Sequence, residues 1–151
     1  MGQSLAQVYL HVVFSTKDRR PFLQNEMVQK NLHGYLAGTC RNLSSPSIRV
    51  GGVEDHVHIL CQLSKTLSMA DLIRELKRES SKWLKEQDGV SPHFQWQQGY
   101  GAFSASPSHV DGLGEYIRTQ REHHCSESFQ DELRRLFRKY DVEFDEQYVW
   151  D

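Results

Sequence analysis

The chain has 151 residues, of which 38% are hydrophobic and 25% are charged, and its net charge is −2. This length and balance predict one folded domain with its own core and exclude a disordered chain. The slightly acidic charge disfavours a protein that binds nucleic acid through charge alone. Because no apolar run approaches the roughly 20 residues of a membrane helix and the N-terminus lacks a signal-peptide pattern, we expect a cytoplasmic protein.

The cysteines support the same location. Cys40, Cys61 and Cys125 are odd in number and show no CxxC spacing. They fit a reducing compartment and argue against both a disulfide framework and a zinc site built from thiolates.

The first half of the chain mixes strand and helix patterns. Residues 7–16 alternate between two faces and predict a half-buried strand. Residues 25–42 predict a helix, because apolar side chains recur every four positions after a capping Asn25. Strands are expected at residues 47–54 and 56–63, close enough together to form a tight antiparallel hairpin.

The next segments complete the fold prediction. Residues 68–87 give the strongest helix pattern, with Ser68 and Asp71 as a capping box. Residues 94–106 predict a fourth strand. The order β-α-β-β-α-β predicts an α+β, ferredoxin-like fold, in which an antiparallel sheet carries both helices on one face.

Further elements follow this core, which we place at about residues 5–106 of a single domain spanning 1–151. A helix is expected at residues 107–123 and another at residues 128–140, where Ser128 can act as the cap. The tail, residues 142–151, has a strand-like pattern and is expected to pack across the body.

Two histidines stand one residue apart in the predicted third strand. His56 and His58 point to the same face as Gln62, while Val57 points to the opposite, apolar face. We expect the histidine face on the open side of the sheet. Two imidazoles with oxygen ligands suit a divalent ion such as Mg²⁺ or Mn²⁺. An exposed polar face without a metal is the alternative.

The predicted helix at residues 107–123 offers further polar groups. Tyr116 and Gln120 are four residues apart and share one face of this helix. His123 can line that face, whereas His124 is expected at a solvated helix end. The alternative for Tyr116 is a residue that packs at the edge of the helix.

Four stretches together resemble a known family. "YLHVVFSTKDRRPF", "EDHVHIL", "GYGAFSASPSHVDGLGEYIRTQREHH" and "FDEQYVWD" are similar to the single-tyrosine HUH transposases of the insertion-sequence 200/605 type. In the HUH motif U is a bulky apolar residue, a place that Val57 takes. The resemblance covers nearly the whole chain and implies a bacterial or archaeal type of enzyme.

The resemblance also implies roles for particular residues. His56, His58 and Gln120 would hold a divalent metal, Mg²⁺ or Mn²⁺. Tyr116 would attack single-stranded DNA, forming a 5′-phosphotyrosine link and releasing a 3′-hydroxyl. The DNA ends would be hairpins, and the enzyme would be a homodimer in which the tyrosine can act on the partner's site.

Two basic segments are candidate DNA surfaces: the loop after the first strand and one face of the helix at residues 68–87. Solvated side chains balanced by nearby glutamates are an equal alternative for the helix face. The proposed DNA-contacting residues are Lys17, Arg19, Arg20, Arg74, Lys77, Arg78, Lys82 and Lys85.

Gly112 and Gly114 depart from a good helix sequence just before Tyr116, since each costs about 1 kcal/mol within a helix. They would start the helix late or loosen it. We hypothesise that they let the tyrosine segment move, while a less stable copy of the family is the alternative.

Other functions remain open from the sequence. The chain could be a domesticated HUH endonuclease that acts on genomic palindromes. It could be a hydrolase that uses water, in which case Tyr116 would be dispensable. A non-catalytic module that stacks bases on an exposed sheet is disfavoured, because the histidine face lacks an aromatic pair.

Overall fold

The computed structural model describes residues 2–124 and 126–151 and consists of four strands and five α-helices in this part of the chain. Two single-turn 3-10 helices, Lys17–Arg19 and Pro107–His109, also occur. In chain order the main elements are β1 (Tyr9–Ser15), α1 (Glu26–Asn42), β2 (Ser47–Val53), β3 (His56–Gln62), α2 (Met69–Lys85), β4 (Gly101–Ala105), α3 (Val110–Arg118), α4 (Gln120–His123) and α5 (Phe129–Lys139).

The strands form one sheet in the order β2-β3-β1-β4, and every neighbouring pair is antiparallel. Strand β3 therefore lies between β2 and β1, so the βαβ unit of β1, α1 and β2 is split. In the register of β1 with β3, Val13 lies opposite His58. The predicted ferredoxin-like fold is confirmed.

Side-chain caps define where the long helices begin. The Asn25 side chain accepts from two backbone N–H groups at the start of α1. The hydroxyls of Ser68 and Ser128 each accept from the N–H three residues later, at the starts of α2 and α5. All three caps were predicted, because these residue types satisfy the unpaired donors of a first helical turn.

The predicted single helix at residues 107–123 is broken instead. A 3-10 turn precedes α3, and Thr119 (φ −99°, ψ 25°) separates α3 from α4. The Thr119 hydroxyl donates to the Glu115 carbonyl at 3.0 Å. Such bonding from a threonine back to the preceding turn bends helices, and it gives a physical reason for the break.

Each face of the sheet has its own core. Helices α1 and α2 cover one face through a continuous apolar cluster. Helix α5 covers the other face, where its stripe of Phe129, Leu133 and Phe137 packs against Val13 and Phe103. The expectation of an open histidine face is therefore wrong, because the apolar stripe of α5 must also be buried.

The tail packs against this second core, as expected from its aromatic residues. Phe144, Val149 and Trp150 contact the cluster. The tail forms turns where the sequence pattern predicted a strand. Its aromatic side chains contribute contacts without extending the sheet.

Cys40 and Cys61 are buried free thiols, and Cys125 lies outside the described residues. Within residues 2–124 and 126–151, no helix has both the length and the apolar character needed to cross a bilayer.

Close contact between β2 and α3 depends on a glycine. A Cβ atom at Gly51 would lie 2.6 Å from the Ile117 carbonyl oxygen and 3.0 Å from the Ile117 Cγ2 atom. The first distance is shorter than a Cβ atom tolerates and the second is tight, so glycine at this position lets α3 pack this closely. This approach positions the helix that carries Tyr116.

Gly112 and Gly114 lie inside α3, which begins before them at Val110. They therefore do not delay the start of the helix. An added Cβ at either position would meet nothing within 4 Å. Their proposed role in motion stays a prediction.

We expect Gly51→Ala to destabilise the protein by about 1–3 kcal/mol, because overpacking forces α3 away from β2. The matched control is Gly34→Ala in α1, where an added Cβ meets nothing within 4 Å. That control should stabilise the protein by up to about 1 kcal/mol. Urea unfolding of both variants measures the difference, and equal effects of the same sign would contradict the close-contact role of Gly51.

Candidate functional site

Strand β3 presents two imidazoles to the face covered by the C-terminal helices. The Nδ1 atom of His56 lies 2.6 Å from the Asp55 carboxylate. The Nδ1 atom of His58 lies 2.8 Å from Nε2 of His11 on neighbouring β1. Both contacts fix the rings and leave the two Nε2 atoms directed at the site, which is the arrangement typical of metal-binding histidines.

A buried carboxylate from α5 occupies the centre of the site. The Oε1 atom of Glu132 lies 2.9 Å from Nε2 of His58, 3.0 Å from Nε2 of His124 and 3.4 Å from Nε2 of His56. Its Oε2 atom accepts from the Tyr116 hydroxyl. Glu132 thus connects strand β3 to the helices that cover it.

Gln120 closes the same cluster. Its Oε1 atom lies 3.2 Å from Nε2 of His56, and its Nε2 atom donates to Glu132 at 3.1 Å. The ring centroids of Tyr116 and His58 are 5.9 Å apart. The four residues predicted for metal binding and nucleophilic attack therefore lie together, and all belong to one chain.

Two residues of the cluster were missed or misplaced by sequence reasoning. Glu132 stands within the apolar stripe of α5, three residues after Phe129 and directly before Leu133, and an acidic residue at such a position is a usable signal. The expectation of a solvated His124 is wrong, since its side chain is only 9% exposed. The break at Thr119 and the turn after α4 bring it inward.

The charges of the cluster follow from burial and pairing. Burial alone would lower the pKa of His56, but Asp55 and Glu132 outweigh this effect and raise the pKa to about 9. Burial lowers the pKa of His58. Burial would raise the pKa of Glu132, but the surrounding histidines hold that pKa well below its usual range. Pairing within the cluster therefore favours the ionised form of Glu132 and the protonated form of His56.

His11 supports His58 from the neighbouring strand. Because Glu132 accepts from Nε2 of His58, the Nδ1 atom of His58 is left to accept from His11. The Nδ1 atom of His11 has no hydrogen-bond partner among the described residues, and burial lowers the pKa of His11. His11 is therefore neutral and orients the His58 ring.

Tyr116 is held between a carboxylate and a guanidinium. Burial and the Glu132 carboxylate raise the pKa of its hydroxyl above the usual value, and the nearby Arg135 opposes this effect. The Nη2 atom of Arg135 lies 2.7 Å from the Tyr116 hydroxyl oxygen. Arg135 also pairs with Glu127 at 3.0 Å. The guanidinium can thus stabilise negative charge on the phenol oxygen.

The donor set fits a divalent cation. One ligand atom from each of His56, His58, His124 and Glu132 lies within 4.8 Å of the others. The Gln120 amide oxygen adjoins this group. Imidazoles with a carboxylate suit first-row divalent metals, and oxygen donors extend this range to Mn²⁺ and Mg²⁺.

Part of the predicted DNA surface lines a cavity outside the histidine cluster. Lys17, Lys77 and Arg78 line one cavity of about 630 Å³ together with Trp150. The Lys77 ammonium donates to the carbonyls of residues 97, 98 and 99, and burial lowers its pKa to about 8. Lys77 therefore ties α2 to the segment before β4.

The other predicted DNA-contacting cations differ in their ion pairs, ring contacts and exposure. Arg74 pairs with Asp71 at 3.0 Å, and Arg78 pairs with Glu75 at 2.6 Å. The Arg19 guanidinium carbon lies 6.0 Å from the centre of the Trp150 ring. The exposed side chains of Arg20, Lys82 and Lys85 complete the predicted set.

Comparison with known proteins agrees with this architecture. Two solved structures share the fold: a proposed transposase from Deinococcus radiodurans R1 and a REP-associated tyrosine transposase bound to a REP hairpin. The first has a TM-score of 0.59 at 20% identity and covers 80% of this chain and 96% of its own. The second has a TM-score of 0.57 at 14% identity and covers 82% of this chain and 74% of its own.

Sequence comparison gives the family. No curated protein matches the chain significantly. The model of the family described as "Transposase IS200 like" matches residues 4–120, which include β1 to β4, the histidine pair, Tyr116 and Gln120. The chain therefore belongs to the IS200-like transposase family.

Proposed function

We propose that this transposase cleaves and rejoins single-stranded DNA through a 5′-phosphotyrosine intermediate on Tyr116. The observation that carries the proposal is the meeting of the Tyr116 hydroxyl with His56, His58 and Gln120 around Glu132 in one buried cluster. A tyrosine beside a candidate metal site combines a nucleophile with the charge stabilisation that phosphodiester cleavage needs.

The chemistry at Tyr116 is a transesterification. The phenol passes its proton to the Glu132 carboxylate that accepts from it, and the phenol oxygen bonds to phosphorus. The bond from phosphorus to the 3′ oxygen breaks, and the leaving oxygen takes up a proton, so no proton is consumed overall. Arg135 stabilises the phenolate, because its guanidinium already contacts that oxygen. The reverse reaction, in which a 3′-hydroxyl attacks the phosphotyrosine, rejoins the strand and needs no nucleotide cofactor.

His56, His58 and Gln120 would hold a divalent cation, Mg²⁺ or Mn²⁺, and Glu132 and His124 are added as ligand candidates by their positions. When bound, the cation would polarise the phosphate and balance the charge of Glu132. Asp55 and His11 keep the two imidazole rings oriented for this role.

The DNA substrate is proposed to carry hairpin ends. A structural neighbour is bound to a REP hairpin, which supports this substrate class for the shared fold. The same observation favours one second candidate, an endonuclease that acts on genomic palindromes without moving its own gene. The loop after β1, with exposed Lys17 and Arg20 and half-buried Arg19, and the exposed cations of α2 are the proposed contacts to the duplex part of a hairpin.

The first test is the covalent adduct. Single-stranded oligonucleotides that carry the palindromes flanking the gene, incubated with Mn²⁺ or Mg²⁺, should form a protein–DNA adduct that survives denaturation. Tyr116→Phe should abolish the adduct, because it removes the attacking oxygen. Gel electrophoresis of labelled DNA measures the adduct.

Tyr100→Phe is the matched control, since Tyr100 is partly exposed and absent from the cluster. It should retain the adduct. An adduct that persists in Tyr116→Phe would contradict the mechanism, and cleavage without any adduct would indicate a hydrolase that uses water.

We further propose that Tyr116 acts in its own chain, whether or not the protein forms a homodimer. The proposal is supported by the 5.9 Å separation of the Tyr116 and His58 rings within one chain. A co-expressed mixture of Tyr116→Phe and His58→Ala chains should then form no adduct. Recovery of adduct in the mixed sample would show that one subunit supplies the tyrosine to its partner.

The affinity for a cation should depend on pH up to values higher than the pKa of an ordinary histidine. Since His56 has a pKa of about 9, a proton must leave its ring before Nε2 can act as a ligand. At pH values below this pKa, the apparent Mn²⁺ affinity should increase about tenfold for each unit by which the pH is raised, because binding displaces one proton. Calorimetric titration across this range measures the slope. Because the pKa of His56 is raised, the loss of activity on acidification should begin at a higher pH than the value near 6 expected for an ordinary histidine.

Asp55→Asn tests the cause of that slope. Without the carboxylate, the pKa of His56 falls, and the pH-dependent range should move lower. Affinity at high pH should drop by about 10- to 100-fold, because the partner that orients the ligand is weakened. A Mn²⁺ affinity that is flat with pH in the unaltered protein would contradict a ligand role for His56.

A further inference from the structure

Two cavities of opposite charge meet at Tyr116. One, which we call the basic groove, is bordered by His109, Leu113, Tyr116, Arg135, Lys139 and Tyr140 and has a volume of about 640 Å³. The other, which we call the acidic cleft, is bordered by Tyr116, His123, Glu127, Asp131 and Arg135. Tyr116 and Arg135 belong to both.

The charge of the two cavities favours the basic groove for a polyanion. None of the described residues that line it is acidic. The acidic cleft carries two carboxylates, and one of them already binds Arg135 at 3.0 Å. A DNA strand that places a phosphate at the Tyr116 hydroxyl therefore meets repulsion on one side and attraction on the other.

Lys139 is the cation of the basic groove that lacks a carboxylate partner among the described residues, and its ammonium lies 5.6 Å from the centre of the Tyr140 ring. Its side chain is exposed, and it forms no ion pair within the described part of the chain. Arg135, in contrast, is shared between Glu127 and the Tyr116 hydroxyl. A backbone phosphate in the groove could therefore pair with Lys139, which is not already paired with a carboxylate of the described residues.

Tyr140 adds an aromatic wall. Its ring stacks on Phe103 with centroids 4.7 Å apart and an interplanar angle of 21°. This contact fixes the orientation of the ring at the border of the groove. Single-stranded nucleic acids are typically bound by such a combination of cations along the backbone and aromatic rings under the bases.

We propose that the basic groove binds the single-stranded DNA next to the scissile phosphate, with Lys139 pairing with a backbone phosphate and Tyr140 stacking on a base. The volume falls in the range of about 300–1,000 Å³ that is typical of ligand sites, enough for a nucleotide. The inference rests on the proposed function, since it takes Tyr116 as the point of cleavage.

The test measures binding without cleavage. A fluorescein-labelled oligothymidylate is titrated with protein in EDTA, and fluorescence anisotropy is recorded between about 50 and 200 mM salt. Lys139→Gln should weaken binding and reduce the salt slope by about 0.7, the value for one phosphate contact on a single strand. Tyr140→Leu should weaken binding roughly tenfold with little change in slope.

Two controls make the result specific. Lys30→Gln removes an exposed cation from α1, on the opposite face of the sheet, and should leave the affinity unchanged. Thermal unfolding of Tyr140→Leu checks whether lost packing against Phe103, and not lost stacking on a base, causes any loss of DNA affinity. If Tyr140→Leu does not fold, Lys139→Gln alone tests the groove.

The outcomes separate the two proposals. Loss of affinity in Lys139→Gln but not in Lys30→Gln supports the groove even if no adduct forms with any DNA. Binding that neither Lys139→Gln nor Tyr140→Leu weakens would overturn the groove, even if Tyr116 forms the expected adduct.

Discussion

The buried negative charge of Glu132 is the constraint on which the site depends. Removing an ionised carboxylate from water costs on the order of several kcal/mol unless partners surround it. Here Glu132 receives contacts from strand β3, from α3 and from α4. Because these partners come from separate elements, satisfying one charge fixes how the C-terminal helices dock on the sheet.

The same docking explains why two very different cores coexist. The face that carries α1 and α2 is covered by one continuous apolar cluster. The opposite face has a smaller apolar cluster beside the polar site, so its packing leaves room for function. The close approach permitted at Gly51 brings α3 onto β2 and keeps Tyr116 within reach of His58.

Charge also organises the surroundings of the nucleophile. Arg135 lies between Glu127 and the Tyr116 hydroxyl, so the cation is partly neutralised where it touches the phenol. Lys139 lies one turn further along α5 and keeps its charge available. A single helix thus supplies a carboxylate toward the histidines and two cations toward the other side of Tyr116.

The sequence determined the strand and helix order, the three caps, the HUH pair and the tyrosine with its glutamine four residues later, because these features are local or carried by family motifs. It did not determine that Glu132 and His124 join the histidines, that the histidine face is covered, or that the helix breaks at Thr119. Those features depend on how the stripe of α5 finds the sheet. Packing of elements far apart in the chain decides them, since periodicity shows which side of a helix is buried but not what it is buried against.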